Sequence, residues 1–123
     1  LLATVSAADE KDVDIAVSAA KSAWEAEWHR APGTVRRDLL LKLADLIQRD
    51  EDDFASLESI DAGVLFAESK SLNVANAIET LRYFAGWADK LDGKSIRIPS
   101  GRAYTTRQPI GVCAAIVPWN SPL

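Results

Sequence analysis

The run "GVCAAIVP" at residues 111–118 constrains the fold more than any other stretch of this chain. Every position from Val112 to Val117 is apolar or a small cysteine or alanine, and no polar residue alternates with them. A half-exposed strand shows alternation; a short run apolar on both faces, bounded by glycine and proline, suits a strand buried inside a parallel sheet. Such a strand needs neighbouring strands and covering helices, so the expected class is α/β. Pro118 has no N–H to give to a ladder, and the strand is expected to end there.

The helices come first in the sequence. In "AADEKDVDIAVSAAKSAWEAEW", Val13, Ala16, Val17, Ala20 and Trp24 share one helical face. Asp9, with Asp12 three residues on, is the expected N-cap, because acidic oxygens there satisfy free backbone N–H groups and favour the positive end of the helix dipole. The preceding "LLATVS" is short and β-prone. After "HRAPG", Thr34 is expected to cap a second helix whose buried stripe is Leu40, Leu43, Ala44 and Ile47. A third helix, after "RDEDD", carries Phe54, Leu57 and Ile60 and stops at Gly63. A fourth, "NVANAIETLRYFAGWADKLDG", aligns Val74, Ile78, Leu81, Ala85 and Ala88, with Gly93 just past its end. "KSIRI" and "AYTTRQ" then flank the turn-rich "PSGR", which predicts a hairpin at about residues 94–108.

Composition removes several classes of function. The chain has 123 residues, one domain's worth or a piece of one, and its 26% charged and 48% apolar residues are those of an ordinary globular protein. The net charge of −4, with Lys and Arg interleaved among acids, gives no basic footprint for nucleic acid. No apolar run approaches the ~20 residues of a membrane-spanning helix. The single cysteine makes no internal disulfide, which points to a reducing, cytoplasmic setting. The chain begins Leu-Leu and contains no methionine, and is therefore expected to be part of a longer protein.

"PIGVCAAIVPWNSPL" resembles the first strand and following turn of the cofactor-binding domain of the aldehyde dehydrogenase superfamily, where a Pro-Trp-Asn-aromatic-Pro run is common. "LLLKLADLIQRDEDDFASLESIDAG" and "AIETLRYFAGWADKLDGKSI" are similar to the helices that precede it, in the same order. The resemblance implies an α/β fold in which N-terminal helices and a β-hairpin lead into the first strand of a Rossmann-like cofactor-binding domain, incomplete in this chain. It implies NAD(P)-dependent oxidation of an aldehyde to a carboxylic acid, with NAD or NADP as cofactor. It implies that Asn120 stabilises the oxyanion, that Ile116, Val117, Pro118 and Trp119 lie along the dinucleotide, and that Ser121 stands near the aldehyde. It also implies a homo-oligomer, dimer or tetramer, with the hairpin reaching toward a neighbouring subunit.

By residue chemistry alone, an asparagine after a strand is a turn-former. Cys113 reads as a small core residue, since burial in an apolar run suppresses the thiolate, and the family nucleophile lies far downstream of this segment. His29 has no partner suited to a metal site. Glu58 with Asp61, and the run "DEDD", read as solvated helix surface. Ser121 departs from the commoner aromatic residue and implies a roomier or more polar pocket; "DAGVLF" departs from the family pattern in a loop. The alternative expectation is a short stand-alone homologue acting as a binding or assembly module, or with chemistry other than dehydrogenation.

Overall fold

The computed structural model describes residues 3–123, so Leu1 and Leu2 of the β-prone opening lie outside the described residues, and residues 3–9 form no strand. The chain divides into two compact units. The first comprises the N-terminal stretch to Ala31 with Gln108–Ala115. Its helix α1, Glu10–Ala26, starts as the sequence predicts. Asp9 Oδ1 accepts from the backbone N–H of Lys11 at 2.8 Å and of Asp12 at 3.2 Å, while Asp12 Oδ2 accepts from Asp9 N–H at 2.9 Å. This reciprocal capping satisfies donors that the helix leaves free and is worth about 1 kcal/mol. The apolar stripe of α1 is nevertheless uncovered: Val13 and Val17 are exposed, and Trp24 is only half-buried. A 3-10 turn, Trp28–Arg30, follows.

The second unit comprises Pro32–Arg107 and Ile116–Leu123. Helix α2, Gly33–Arg49, begins two residues earlier than a Thr34 cap would allow. Pro32 holds the chain extended at φ −57° and ψ 151°, and its carbonyl accepts from Val35 and Arg36 N–H, which leaves Thr34 inside the first turn. Helix α3, Glu51–Ala62, stops where expected: Gly63 adopts φ 74°, a left-handed conformation that costs glycine nothing, and donates to Ser59 O at 3.1 Å.

The buried face of α3 differs from the expected one. Leu57 and Ile60 are 64% and 60% exposed, Phe54 is half-buried, and the residues turned inward are Ala55 and Glu58. Glu58 is therefore a buried group rather than part of a solvated surface. The reason is its partners: it accepts hydrogen bonds from Ser69 Oγ and, at 2.9 Å, from Asn73 Nδ2, and Ala55 one turn earlier allows the close approach.

Those donors stand on a helix that is not uniform. A single turn α4, Phe66–Glu68, runs into a π-helical stretch, Ser69–Val74, and then into α5, Ala75–Ala85. Helix α2 packs on α5, and α3 on the π-helical stretch. Ala44, Ile47, Ala55, Val74 and Ile78 form the core, with Phe54 and Leu81 against it. The α5 stripe matches expectation at Val74, Ile78 and Ala85, but the helix ends eight residues short of Gly93. Lys90 Nζ instead donates to Gly86 O at 2.7 Å, satisfying a carbonyl at the helix end. Gly93 serves another purpose: a Cβ there would fall 1.8 Å from Thr105 O, so only glycine lets the chain pass.

The hairpin forms from β1, Ser95–Ile98, and β2, Gly101–Tyr104, antiparallel with Ser95 opposite Tyr104 and Ile98 opposite Gly101. Thr105 N–H to Lys94 O at 2.9 Å extends it by one pair. Residues 112–117, expected as a strand, form none. A strand is completed by a hydrogen-bonded neighbour, and among the described residues the only sheet is the two-stranded hairpin.

Candidate functional site

Residues 116–121 approach the end of the second unit without regular structure. Ile116 is fully exposed, Val117 and Trp119 nearly so, and Pro118 and Asn120 are exposed as well. Ser121 differs. Its backbone takes φ 50°, the left-handed region that a serine enters at a cost of roughly 1–3 kcal/mol. Ser121 and Leu123 line a cavity of about 440 Å³.

Helical spacing explains the rest of that cavity. Asn73 from the π-helical stretch and Asn76, Ala77, Thr80 and Leu81 from α5 face it, together with Ile47 of α2. Residues 73, 76 and 80 stand at i, i+3 and i+7, so three neutral polar side chains follow one face. Asn73 is held in place from behind by its bond to Glu58, which is only 4% exposed. Farther along the same pair of helices, Arg82 Nη2 donates to Asp45 Oδ1 at 2.9 Å and to Gln48 Oε1 at 2.6 Å, pinning α5 to α2.

Of the site residues expected from sequence, Ser121 lines the cavity; Ile116, Val117, Pro118, Trp119 and Asn120 are not among its lining. Asn73, Asn76 and Thr80 escaped the sequence reading, although a polar stripe at helical spacing beside the apolar one was there to be seen. Cys113 is exposed, contrary to its expected place in a core, because the run that holds it has no sheet around it; its Sγ donates to Gly111 O at 3.5 Å. His29 uses both ring nitrogens locally: Nδ1 donates to Trp24 O at 2.7 Å while Nε2 accepts from Arg30 Nε at 3.0 Å. No group of three or more His, Cys, Asp and Glu side chains able to hold a metal occurs among the described residues. Nor is any described helix long and apolar enough to cross a membrane.

The family model of the aldehyde dehydrogenase family matches residues 1–123. The chain belongs to the aldehyde dehydrogenase family. It is 47% identical to an aldehyde dehydrogenase of Emericella nidulans over 124 residues, covering 100% of this chain and 25% of that protein. Among solved aldehyde dehydrogenases and related structures, PnpE from Pseudomonas sp. WBC-3 superposes with a TM-score of 0.89 at 44% identity, covering 97% of this chain and 24% of that one. The NAD+ complex of the Bacillus cereus aldehyde dehydrogenase gives a TM-score of 0.71 at 38% identity, over 74% of this chain and 19% of that one. The chain thus spans about a quarter of the length of the curated aldehyde dehydrogenases it matches. Its helix-rich architecture with a small two-stranded sheet agrees with an incomplete N-terminal α/β region of the family.

Proposed function

We propose that residues 1–123 are the N-terminal portion of a cytoplasmic, NAD(P)-dependent aldehyde dehydrogenase that oxidises an aldehyde to a carboxylic acid, with Asn120 as its oxyanion-stabilising residue. The observation that carries this reading is membership of the aldehyde dehydrogenase family along the whole of residues 1–123, with 47% identity to the Emericella nidulans protein.

Nucleophilic addition to an aldehyde carbon converts the carbonyl oxygen into an oxyanion. The neutral side-chain amide of Asn120 donates an N–H to that oxygen, and a donor set before the charge develops needs little reorganisation when it does. Asn120 itself neither gains nor loses a proton. The nucleophile is assigned to a cysteine outside residues 1–123, following the family resemblance, and Cys113 is not given that role. Ile116, Val117, Pro118 and Trp119 are assigned to the dinucleotide, following the family resemblance. A bound NAD or NADP would accept the hydride released when the adduct becomes an acyl group. The NAD+ complex of the 38% identical Bacillus cereus protein supports the choice of cofactor. The hairpin at about residues 94–108 serves assembly of a homo-oligomer, dimer or tetramer, its strands lying largely exposed in the single chain.

The test is Asn120→Ala in the complete enzyme. Turnover of aldehyde is expected to fall about 10²–10³-fold, the usual loss for one oxyanion donor, with NAD binding unchanged in a fluorescence titration. An equal loss in turnover and NAD binding would contradict the role.

A further inference from the structure

Asp92 is the only aspartate of the chain that precedes a glycine. The pair lies in the irregular segment between the turn after α5 and β1, and both residues are exposed. Neither the Asp92 carboxylate nor the Gly93 N–H has a hydrogen-bond partner among the described residues. Asp89, three residues earlier, shows the contrast. Its carboxylate meets Arg37 at 3.0 Å and Lys90 at 2.7 Å, and the N–H that follows it, that of Lys90, is tied to Trp87 O at 3.0 Å. Glycine at position 93 is itself required: a Cβ there would fall 1.8 Å from Thr105 O and 2.9 Å from the carbonyl carbon. The fold therefore sets behind Asp92 a backbone nitrogen that no side chain shields and no acceptor holds.

Such a pair can rearrange with no reagent but water. The Gly93 nitrogen adds to Cγ of the Asp92 carboxyl group; a C–N bond forms, the amide proton and the carboxyl O–H leave as water, and a five-membered succinimide closes. Water then adds to one of the two ring carbonyls and breaks its C–N bond. Opening at Cγ restores aspartate. Opening at the original main-chain carbonyl leaves the peptide running through Cβ and Cγ, an isoaspartyl link, with the former main-chain carbonyl as the free carboxylate. Nothing is oxidised or reduced, and the mass is unchanged.

We propose that the Asp92–Gly93 link is a site of spontaneous isomerisation to isoaspartate, and that this change loosens the base of the hairpin. The isoaspartyl form adds one carbon to the main chain, about 1.5 Å of contour. The addition comes just ahead of Lys94, whose N–H donates to Thr105 Oγ1 at 2.8 Å and whose carbonyl accepts from Thr105 N–H at 2.9 Å. Because Gly93 already lies in tight approach to Thr105, the added length falls on these two bonds. The proposal is independent of the oxidation reading, since it concerns the chain's own backbone.

The test holds the complete protein and its Asp92→Glu variant at body temperature and mildly acidic pH for several weeks. Residue 92 is exposed and without a partner, so this exchange keeps the charge and leaves the fold intact, while its ring would need six members and closes far more slowly. Peptide mapping with electron-transfer fragmentation tells the two linkages apart, and amide exchange is read in the peptides that hold Lys94 and Thr105. Isoaspartate is expected to accumulate at residue 92 faster than at any other aspartate, and to be several-fold lower at that position in Asp92→Glu. Exchange at Lys94 and Thr105 is expected to rise with the modified fraction, as local opening at the hairpin base requires. No isoaspartate at residue 92, or a level equal to that of Asp92→Glu, overturns the site. Isomerisation with unchanged exchange at Lys94 and Thr105 overturns its effect on the hairpin.

Discussion

Gly33, the first residue of α2, lies so close to the turn after α5 that a Cβ on it would stand 2.5 Å from the carbonyl oxygen of Ala88 and 2.7 Å from Cα of Asp89. Both obstacles are backbone atoms, which yield less easily than the tip of a side chain. Arg37, one turn along α2, reaches the same segment with Nη1 3.0 Å from Asp89 Oδ2. The close approach and the ion pair together tie the start of α2 to the turn after α5. Gly33→Ala is expected to lower stability by about 1–3 kcal/mol, the usual cost of forcing an atom into a filled contact. Urea unfolding followed by circular dichroism measures this, and an unchanged or raised midpoint would show that the turn at Ala88 gives way freely.

Glu58 offers a second measurement. Ser69→Ala removes one donor from a buried carboxylate and should cost about 1–3 kcal/mol, the penalty of leaving a buried acceptor short of a partner. Glu58→Ala should cost more, because it strands Ser69 and Asn73 and opens a hole at the contact of α3 with the π-helical stretch. The same unfolding experiment ranks the two variants, and a Glu58→Ala loss smaller than that of Ser69→Ala would mean that the carboxylate is not what holds α3 in this orientation.

Stability should fall in acid, by way of identifiable carboxylates. Asp89 is held below the usual carboxylate range first by its hydrogen bond from Lys90, with the charges of Lys90 and Arg37 adding and partial desolvation opposing. Asp50 is lowered in the same sense by its hydrogen bond from Arg49. A carboxyl whose folded value is depressed favours the folded state fully above its unfolded value, about 3.9, and loses that contribution as pH falls through the lower folded value. Urea midpoints should therefore be level on this account from about pH 5 upward and decline below about pH 4. Asp89→Asn should make the acid decline shallower, and an identical decline in that variant would remove Asp89 from the explanation.

Ile96 and Ile98 lie on β1 at 45% and 40% exposure, on a two-stranded sheet that is marginal by itself. If the hairpin assembles subunits, Ile96→Lys with Ile98→Lys should convert the complete enzyme into monomers by sedimentation velocity while leaving the helical signal intact. Assembly that survives both changes would confine the hairpin to its own chain.

Local chemistry was the legible part of this molecule. The Asp9 cap, the stop at Gly63, the hairpin around "PSGR" and the α5 stripe each depend on residues within a turn or two of one another, and each could be read from spacing. What escaped depends on distant partners. The inward turn of α3 is set by donors 11 and 15 residues beyond Glu58, and a reading that counts only apolar letters assigns the helix the opposite face. Gly93 looked like a helix stop, whereas its small size is needed by Thr105, which the hairpin brings back to it. Residues 112–117 read as a strand that needs neighbours, and they form none, the hairpin being the only sheet among the described residues. At the site, attention to the run "PWNSP" found Ser121 but not the polar face of the helix that shares its cavity.

The π-helical stretch Ser69–Val74 sets that face in a way that concerns length more than identity. A π turn is wider than an α turn and accommodates an additional residue, while each residue of a regular α-helix advances the direction of its side chain by about 100°. Deleting one residue between Ser69 and Val74 would therefore let the helix run on as regular α with its two ends in nearly unchanged register, whereas the same deletion from a regular α-helix would turn the ends against each other by about that angle. With α5 anchored to α2 through Arg82, the change would stay local to the side near Glu58, where Ser69 and Asn73 reach the carboxylate. Homologues that differ by a one-residue gap at this point could therefore keep the packing of α5 on α2 while losing the local geometry behind Asn73.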